Sequence, residues 1–573
     1  MSSAPTSSAT ADDQLTAEGR YGADAIARFR AEGWWADGSA WALLDRWAEE
    51  RPTQRFVSDG TLELDYATAR GRAYRLAASL LSAGVRPGDR VAVQLPNWSE
   101  FAVAYLALAR LGAVMVPIMM VYRGSEVRHV LHNSAAVAVI TTGRFRGHDH
   151  AEMFRSLRPD CPDVHTLVVV RSEAGEGELA FDEACDVDAG TAMPAPEELG
   201  PERDPDLPHL IVYTSGTEST AKGCVHTWNT INFSGRGLAT DVFRITPDDV
   251  MFMPSPVAHA TGFVVGFLVP LTVGAQTHLI DVWEPNEGLR RIEKYRCTMT
   301  ATATPFVRMA LDTDPLDTDP LDTDPAQRPD VSSMSFWLCA GAPIPEALAR
   351  EFSSVFDGGR LMPLYGCSEV MAAVCCHLED DLERVSRSDG SPAVRGIEIK
   401  VVDSDGRDLP TGQEGEICYW GPGAVLGYWR EPERTSATID GAGWHHTGDL
   451  GKLDADGYLR VTGRLKDIII RGGTNISAGE VEGHVVAHPR VREVAVVAYP
   501  DDRLGERACA VVVPTDDREL TLADITDFLR AERDISTQKL PERLVVVDEL
   551  PMTASGKVQK FKLRELAVRG PDA

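Results

Sequence analysis

At 573 residues the chain exceeds the ~250–300 residues at which a single hydrophobic core stops growing, so at least two domains are expected. Its 43% hydrophobic and 25% charged residues are those of a soluble globular protein. A formal charge of −29 argues against non-specific binding to nucleic acid or insertion at an anionic membrane, yet leaves room for a small anion held by a few gathered cations.

The opening "MSSAPTSSATADD" is small and polar and lacks an apolar core, so residues 1–28 are expected to be a disordered tail and leader, with no signal peptide and a cytoplasmic location. From Ala40 onward helical patterns alternate with short apolar runs. "WALLDRWAEERP" reads as a helix, "RVAVQLPN" as a strand, "SEFAVAYLALARLG" as a helix and "AVMVPIM" as a strand. "SEVRHVLHNS" is again helical and "AVAVITT" a strand, and "HTLVVV", "HLIVYTSG" and "TMTATATP" extend the series. Such alternation predicts parallel sheets covered by helices, with ligands at the carboxyl ends of strands. The run Phe101–Tyr122 is apolar enough to resemble a membrane span, but Arg110, Gly112 and Pro117 break it into a buried helix and strand.

Ten cysteines are scattered without CxxC pairs, so reduced, buried thiols are expected before any metal site. "LDTDPLDTDPLDTDP", Leu311 to Pro325, is too short a repeat for a solenoid and reads as a solvated loop. From about Ile397 alternation and "DG" and "TG" turns predict a small antiparallel β-unit. After "GRLKD" a compact α+β unit follows. The expected division is therefore a domain over 29–463, a hinge over 464–467 and a smaller domain over 468–573.

"YTSGTESTAKG", Tyr213 to Gly223, carries most of the chemistry. Glycines let backbone N–H groups approach an anion, hydroxyls add donors, and Lys222 adds a charge; only nine lysines exist in the chain and none precedes it. The spacing is not that of a P-loop, and the plainer alternative is a polar strand–helix turn. Further along stand "LYGCSEV" (364–370), "HTGDLG" (446–451), "GRLKDIIIRGGTNISAGEVE" (463–482) and "PMTASGKVQK" (551–560). Together and in this order the motifs resemble those of the adenylate-forming superfamily of acyl-CoA synthetases, peptide-synthetase adenylation domains and beetle luciferases, from about Trp41 to Leu566. Within it, "VPIMMVYRGSEVRHVLHNS" and "VAHATGF" look most like cyclohexanecarboxylate-CoA ligase-like and medium-chain members.

The resemblance implies an α/β fold: a large N-terminal domain of two αβ-layered sheets plus a β-barrel, and a small mobile α+β C-terminal domain. It implies adenylation of a carboxylate by ATP with Mg2+, then transfer to coenzyme A or a carrier protein. Thr214, Ser215, Gly216, Thr217 and Lys222 match the phosphate loop, with Thr217 and Glu369 toward the metal. Tyr365 and Gly366, with Gly341, Ala342 and Pro343, match the adenine site. Asp449 matches the ribose carboxylate, Arg464 a nucleotide contact, Lys466 the hinge and Lys557 the lysine of the adenylation pose. His259 matches a residue that holds the acid or gates its pocket, or is a partly buried histidine; Phe263, Val264, Cys339, Leu364, Met371 and Ala372 match pocket positions. Glu218-Ser219 and Ala221 depart from the usual phosphate loop.

The leading expectation is an AMP-forming ligase for a cyclic, aromatic or medium-chain acid, acting as a monomer or homodimer. Carrier loading, amide formation and nitrite activation for aryl-amine diazotisation keep the same first step. A luciferase-like monooxygenase and a non-catalytic nucleotide sensor are the other rivals.

Overall fold

The computed structural model describes residues 15–186, 199–214, 221–313, 329–340, 344, 346–356, 359–472, 474–501, 503–516, 518–533, 535–552 and 558–569. By packing, the chain forms two compact units. One contains the residues up to Ser215 with Thr220–Glu398 and Trp420–His445; the other contains Ile399–Tyr419 and His446 onward. This division follows packing and does not test the boundary expected at 463–467.

The first unit holds a nine-stranded and an eight-stranded sheet. In the eight-stranded sheet, Arg90–Gln94 lies parallel to both Val114–Pro117 and Ala136–Thr142, and Thr166–Val170 extends the parallel set. Pro208–Thr214 pairs parallel with Val114–Pro117 and antiparallel with Lys222–Thr227, which in turn pairs with Gly427–Tyr428. In the nine-stranded sheet, Val250–Met253, Met299–Thr302, Phe336–Ala340 and Arg360–Tyr365 run parallel. The continuous apolar runs are those of strands covered on both faces.

The apolar stretch at 101–122 is a buried element pair. Every residue of the helix Ser99–Leu111 is buried, and it ends on Gly112 in the left-handed region before the strand Val114–Pro117. Buried Arg110 donates to the carbonyl of Gly200 and lies over the Tyr74 ring. No helix among the described residues is long and apolar enough to cross a membrane.

One expectation is corrected. The leader is not disordered through residue 28: Ala17–Tyr21 and Ala23–Ala31 are helices. Tyr21 packs edge-on to Phe29 and Trp35, and the Tyr21 hydroxyl donates to the Ala424 carbonyl. The aromatics "Y…F…WW" supplied an anchor that the polar start of the chain obscured. Residues 1–14, and the repeat from Asp314 on, lie outside the described residues. The barrel is not confirmed either: strands Glu398–Val402, Gly415–Trp420, His445–Leu453 and Leu459–Arg464 form a four-stranded sheet in that order.

The second unit also contains a five-stranded sheet built on the long antiparallel pair Val491–Asp501 and Gly505–Pro514. Alternate residues of these strands enter two cores. Val496, Ala508, Ala510 and Val512 pack with Val481, Ile525 and Leu529 of the helices Ala478–Val485 and Leu522–Glu532. Ala495, Val497, Cys509 and Val511 pack with Leu563 and Ala567 of the helix Lys560–Arg569.

Candidate active site

The strands Pro208–Thr214 and Lys222–Thr227 are antiparallel, with Thr214 opposite Lys222. The polar segment is therefore the loop of a hairpin and not a strand–helix turn. Its Ser215, Gly216, Thr217, Glu218 and Ser219 lie outside the described residues. At its base the Thr214 hydroxyl is buried and has no hydrogen-bond partner among the described residues.

Glu369 sits on a turn between Arg360–Tyr365 and the antiparallel strand Val374–Cys375. The turn is tight. A Cβ on Gly366 would stand 1.9 Å from the Met371 carbonyl oxygen, so only glycine fits, and Met371 itself holds φ +46°. Three contacts brace it: Ala373 N–H to the Tyr365 carbonyl, Val425 N–H to the Glu369 carbonyl, and His226 Nε2–H to the Ser368 carbonyl at 2.7 Å. Burial depresses the His226 pKa to about 4 and keeps the ring neutral. Histidine 226 was missed in the sequence; its only signal is a polar residue inside the apolar strand "KGCVHTW".

The Glu369 carboxylate lies 2.6 Å from Lys222 Nζ and accepts from the Tyr428 hydroxyl at 3.0 Å. Burial alone would raise its pKa. The Lys222 charge opposes this, with help from His445 and the Cys367 thiol, and holds the pKa at about 2. An ionised, sheltered carboxylate beside one ammonium fits a site for a hard cation and an anionic ligand. Tyr365, at the end of its strand, is partly exposed.

In the second unit, Asp449 pairs across the ladder with Arg464, whose Nε lies 2.9 Å from the carboxylate. Asp449 lies within the strand His445–Leu453, which is kinked just before it by Gly448 at φ +70°. Gly448 N–H donates to Glu416, Asp449 N–H donates to the Thr447 hydroxyl, and that hydroxyl donates to the Ile417 carbonyl. His446 Nδ1 stands 2.8 Å from Glu416 and 3.5 Å from Cys418 Sγ. These three residues are grouped as metal ligands would be. The short His446–Glu416 distance is that of a hydrogen bond, and Glu416 also shapes the kink. All ten cysteines are free thiols and only Cys367 is not buried. Lys466 lies in the short helix Leu465–Asp467; Lys557 lies outside the described residues.

Of the acid-pocket candidates, His259 is partly exposed and accepts through its carbonyl from Phe263 N–H. Phe263, Val264, Leu364, Met371 and Ala372 are buried. Phe263 packs edge-on to Tyr105 and Phe101, as part of the core. Its segment Thr261–Leu268 is a π-helix, a form often found at functional sites. Cys339 departs from expectation. Ala340 is opposite Leu364, so Cys339 faces the other side of the sheet, packed in the core with Trp337, Leu348 and Phe352. Strand parity, which needs the register, was not readable from sequence. Gly341, Ala342 and Pro343 lie outside the described residues.

The AMP-binding enzyme family matches residues 44–429, and the AMP-binding enzyme C-terminal domain matches 480–557. The medium-chain fatty-acid–CoA ligase of Escherichia coli K12 is 37% identical over 95% of this chain and 93% of its own. The anthranilate CoA ligase AuaEII in complex with anthranoyl-AMP is similar in structure, with TM-score 0.81 and 25% identity over 93% of this chain and 98% of that one. ATP-bound MatB from Rhodopseudomonas palustris gives TM-score 0.81 and 27% identity, covering 93% and 99%. The chain belongs to the AMP-binding enzymes, the adenylate-forming superfamily, and is an AMP-forming acid–thiol ligase.

Proposed function

We propose that this chain adenylates a small carboxylic acid of the medium-chain, cyclic or aromatic class and passes the acyl group to the thiol of coenzyme A. The observation that carries the reading is the Lys222–Glu369 pair, 2.6 Å apart, with Lys222 opposite the last residue of the strand Pro208–Thr214 and Glu369 beyond the carboxyl end of Arg360–Tyr365. The E. coli relative, named a medium-chain fatty-acid–CoA ligase, supports both the acid and the acceptor. The structural neighbour bound to anthranoyl-AMP supports the aromatic range.

In this reading Lys222, Thr214, Ser215, Gly216 and Thr217 bind the outer phosphates, Tyr365 stacks on adenine above Gly366, and Asp449 accepts from the ribose hydroxyls. Glu369 and Thr217 would hold magnesium, which would supply neutralisation of phosphate charge. The substrate carboxylate attacks the α-phosphorus, the bond to pyrophosphate breaks, and the acyl-adenylate forms. Negative charge gathers on the α-phosphate, and Lys557 stabilises it more in the transition state than in the ground state. The segment 468–573 then turns about 464–467, at Lys466, so that the thiolate displaces AMP from the acyl carbon. His259 gates the acid.

Two measurements test the scheme. Pyrophosphate release is assayed with medium-chain, alicyclic and aromatic acids and with nitrite, each with and without coenzyme A. Release with acids, and thioester only when coenzyme A is present, is expected; silence across the panel or release requiring nitrite overturns the reading. Lys557→Ala is expected to slow adenylation by about 10²–10³ while sparing thioester formation from presynthesised acyl-adenylate. Equal loss of both half-reactions removes that role.

A further inference from the structure

We propose that Tyr428 is a positioning residue of the nucleotide site, its hydroxyl holding Lys222 and Glu369 so that each can leave the other for magnesium-bound ATP. The inference rests on the roles given above to Lys222 and Glu369. Nothing in the motif reading singled out "GYW" at 427–429.

The backbone of Tyr428 is tied to both partners. The strand Gly427–Tyr428 pairs with the strand that begins at Lys222, with Tyr428 opposite Cys224. Trp429 N–H donates to the Gly223 carbonyl and Leu426 N–H to the Val225 carbonyl, so this segment and Lys222 share one ladder. Val425 N–H donates to the carbonyl of Glu369 itself at 2.8 Å. Tyr428 N–H is received by the Thr435 hydroxyl at 2.9 Å. With its side chain buried, the phenol has one place to stand.

From there the hydroxyl accepts from Lys222 Nζ at 2.8 Å and donates to Glu369 Oε1 at 3.0 Å, and the ammonium lies 4.3 Å from the ring centroid. Lysine has donors only and an ionised carboxylate acceptors only, so the two attract each other directly. A sheltered contact pair of that kind competes with any ligand that needs both charges. A phenol is both donor and acceptor, and its ring face attracts a cation. When the ammonium moves to a phosphate, the hydroxyl still donates to the carboxylate. When the carboxylate turns to a cation, the hydroxyl and ring still hold the ammonium.

Calorimetric titration of the full chain with Mg-ATP tests this in wild type, Y428F, K222M, Y428F/K222M and E369Q. Loss of one charge-assisted hydrogen bond predicts about tenfold weaker binding in Y428F, and less than about twofold further loss when Tyr428→Phe is made in K222M. In pyrophosphate release, the KM for Mg-ATP should rise more than kcat falls. Wild-type affinity in Y428F, or the same loss in both backgrounds, overturns the inference while leaving the site intact. Wild-type affinity in K222M and E369Q removes the nucleotide-site reading and this inference with it. Should Y428F not fold, 4-aminophenylalanine at position 428 keeps the donor and 4-methylphenylalanine does not. The first should bind about tenfold tighter than the second, and equal affinities overturn the proposal.

Discussion

Glu369 is presented by a tight turn and Asp449 by a kink within a strand, and the two supports are made differently. The Glu369 turn is over-determined. Gly366 is pressed against the Met371 carbonyl, Met371 holds a left-handed φ of +46°, and His226, Val425, Lys222 and Tyr428 all bind the turn or its acid. The kinked strand that carries Asp449 relies on Gly448, where the left-handed φ costs little, and a Cβ added there would meet nothing within 4 Å. A non-glycine residue kept in the left-handed region costs of order 1–3 kcal/mol and persists where its surroundings impose it. The first turn is therefore built to fix an acid in place, whereas the second support is built to be cheap.

The sharpest way to break that contrast is to disturb the first turn without touching its charge. Gly366→Ala forces a Cβ onto backbone atoms, so the turn must move and carry Glu369 with it. We expect pyrophosphate release to fall about 10²-fold, comparable to Glu369→Gln, which removes the charge itself. A G366A enzyme with unaltered Mg2+ dependence would show that the crowding has no bearing on the acid.

Acid separates the first turn from the rest of the fold. His278 is buried and His209 partly buried, and both are held neutral, their pKa values lowered from 6.5 to about 3 by desolvation and then by nearby arginines. Their folded values lie below the unfolded one, so the unfolded chain binds protons that the native chain refuses. Stability is full above about pH 6.5 and falls as pH drops, by about 2 kcal/mol for each histidine at pH 5. Glu369, near 2, stays ionised throughout that window. Urea midpoints should therefore fall toward pH 5, and His209→Gln and His278→Gln should flatten the slope; an unchanged slope in both variants refutes the assignment.

At the second support, Asp449→Asn keeps the shape and removes the charge paired with Arg464. The KM for ATP should rise about tenfold with a smaller change in kcat, as expected when a hydrogen bond to a charged group becomes one to a neutral group. A larger effect than that of Glu369→Gln would invert the ranking of the two acids.

How much of this was readable beforehand follows from range. Hydrophobic period and Gly/Pro punctuation are local, so the alternating helices and strands of 40–142 and the α+β unit after 467 were legible. Ordered motifs singled out Lys222, Glu369, Asp449 and Arg464 as site candidates, and the structure joins them in two pairs, Lys222 with Glu369 and Asp449 with Arg464. What was hidden is non-local. Tyr428 reaches Glu369 across 59 positions and His226 reaches Ser368 across 142. Cys339 reads as a pocket residue until the register turns it to the core. The leader helices were hidden because their anchors are the distant carbonyls of Ala424 and Pro422.

The smallest effect is the most direct measure of the contrast. Gly448→Ala introduces a Cβ into open space, so the only penalty is the left-handed backbone, about 1 kcal/mol. That penalty acts on stability and is spread over a kink whose hydrogen bonds to Glu416 and Thr447 survive the change. A lowered urea midpoint with a nearly unchanged KM for ATP is expected from G448A. If G448A instead matched G366A in its loss of pyrophosphate release, the kink before Asp449 would be as tightly constrained as the Glu369 turn. The difference between a crowded glycine and a merely left-handed one would then not govern how the two acids are held.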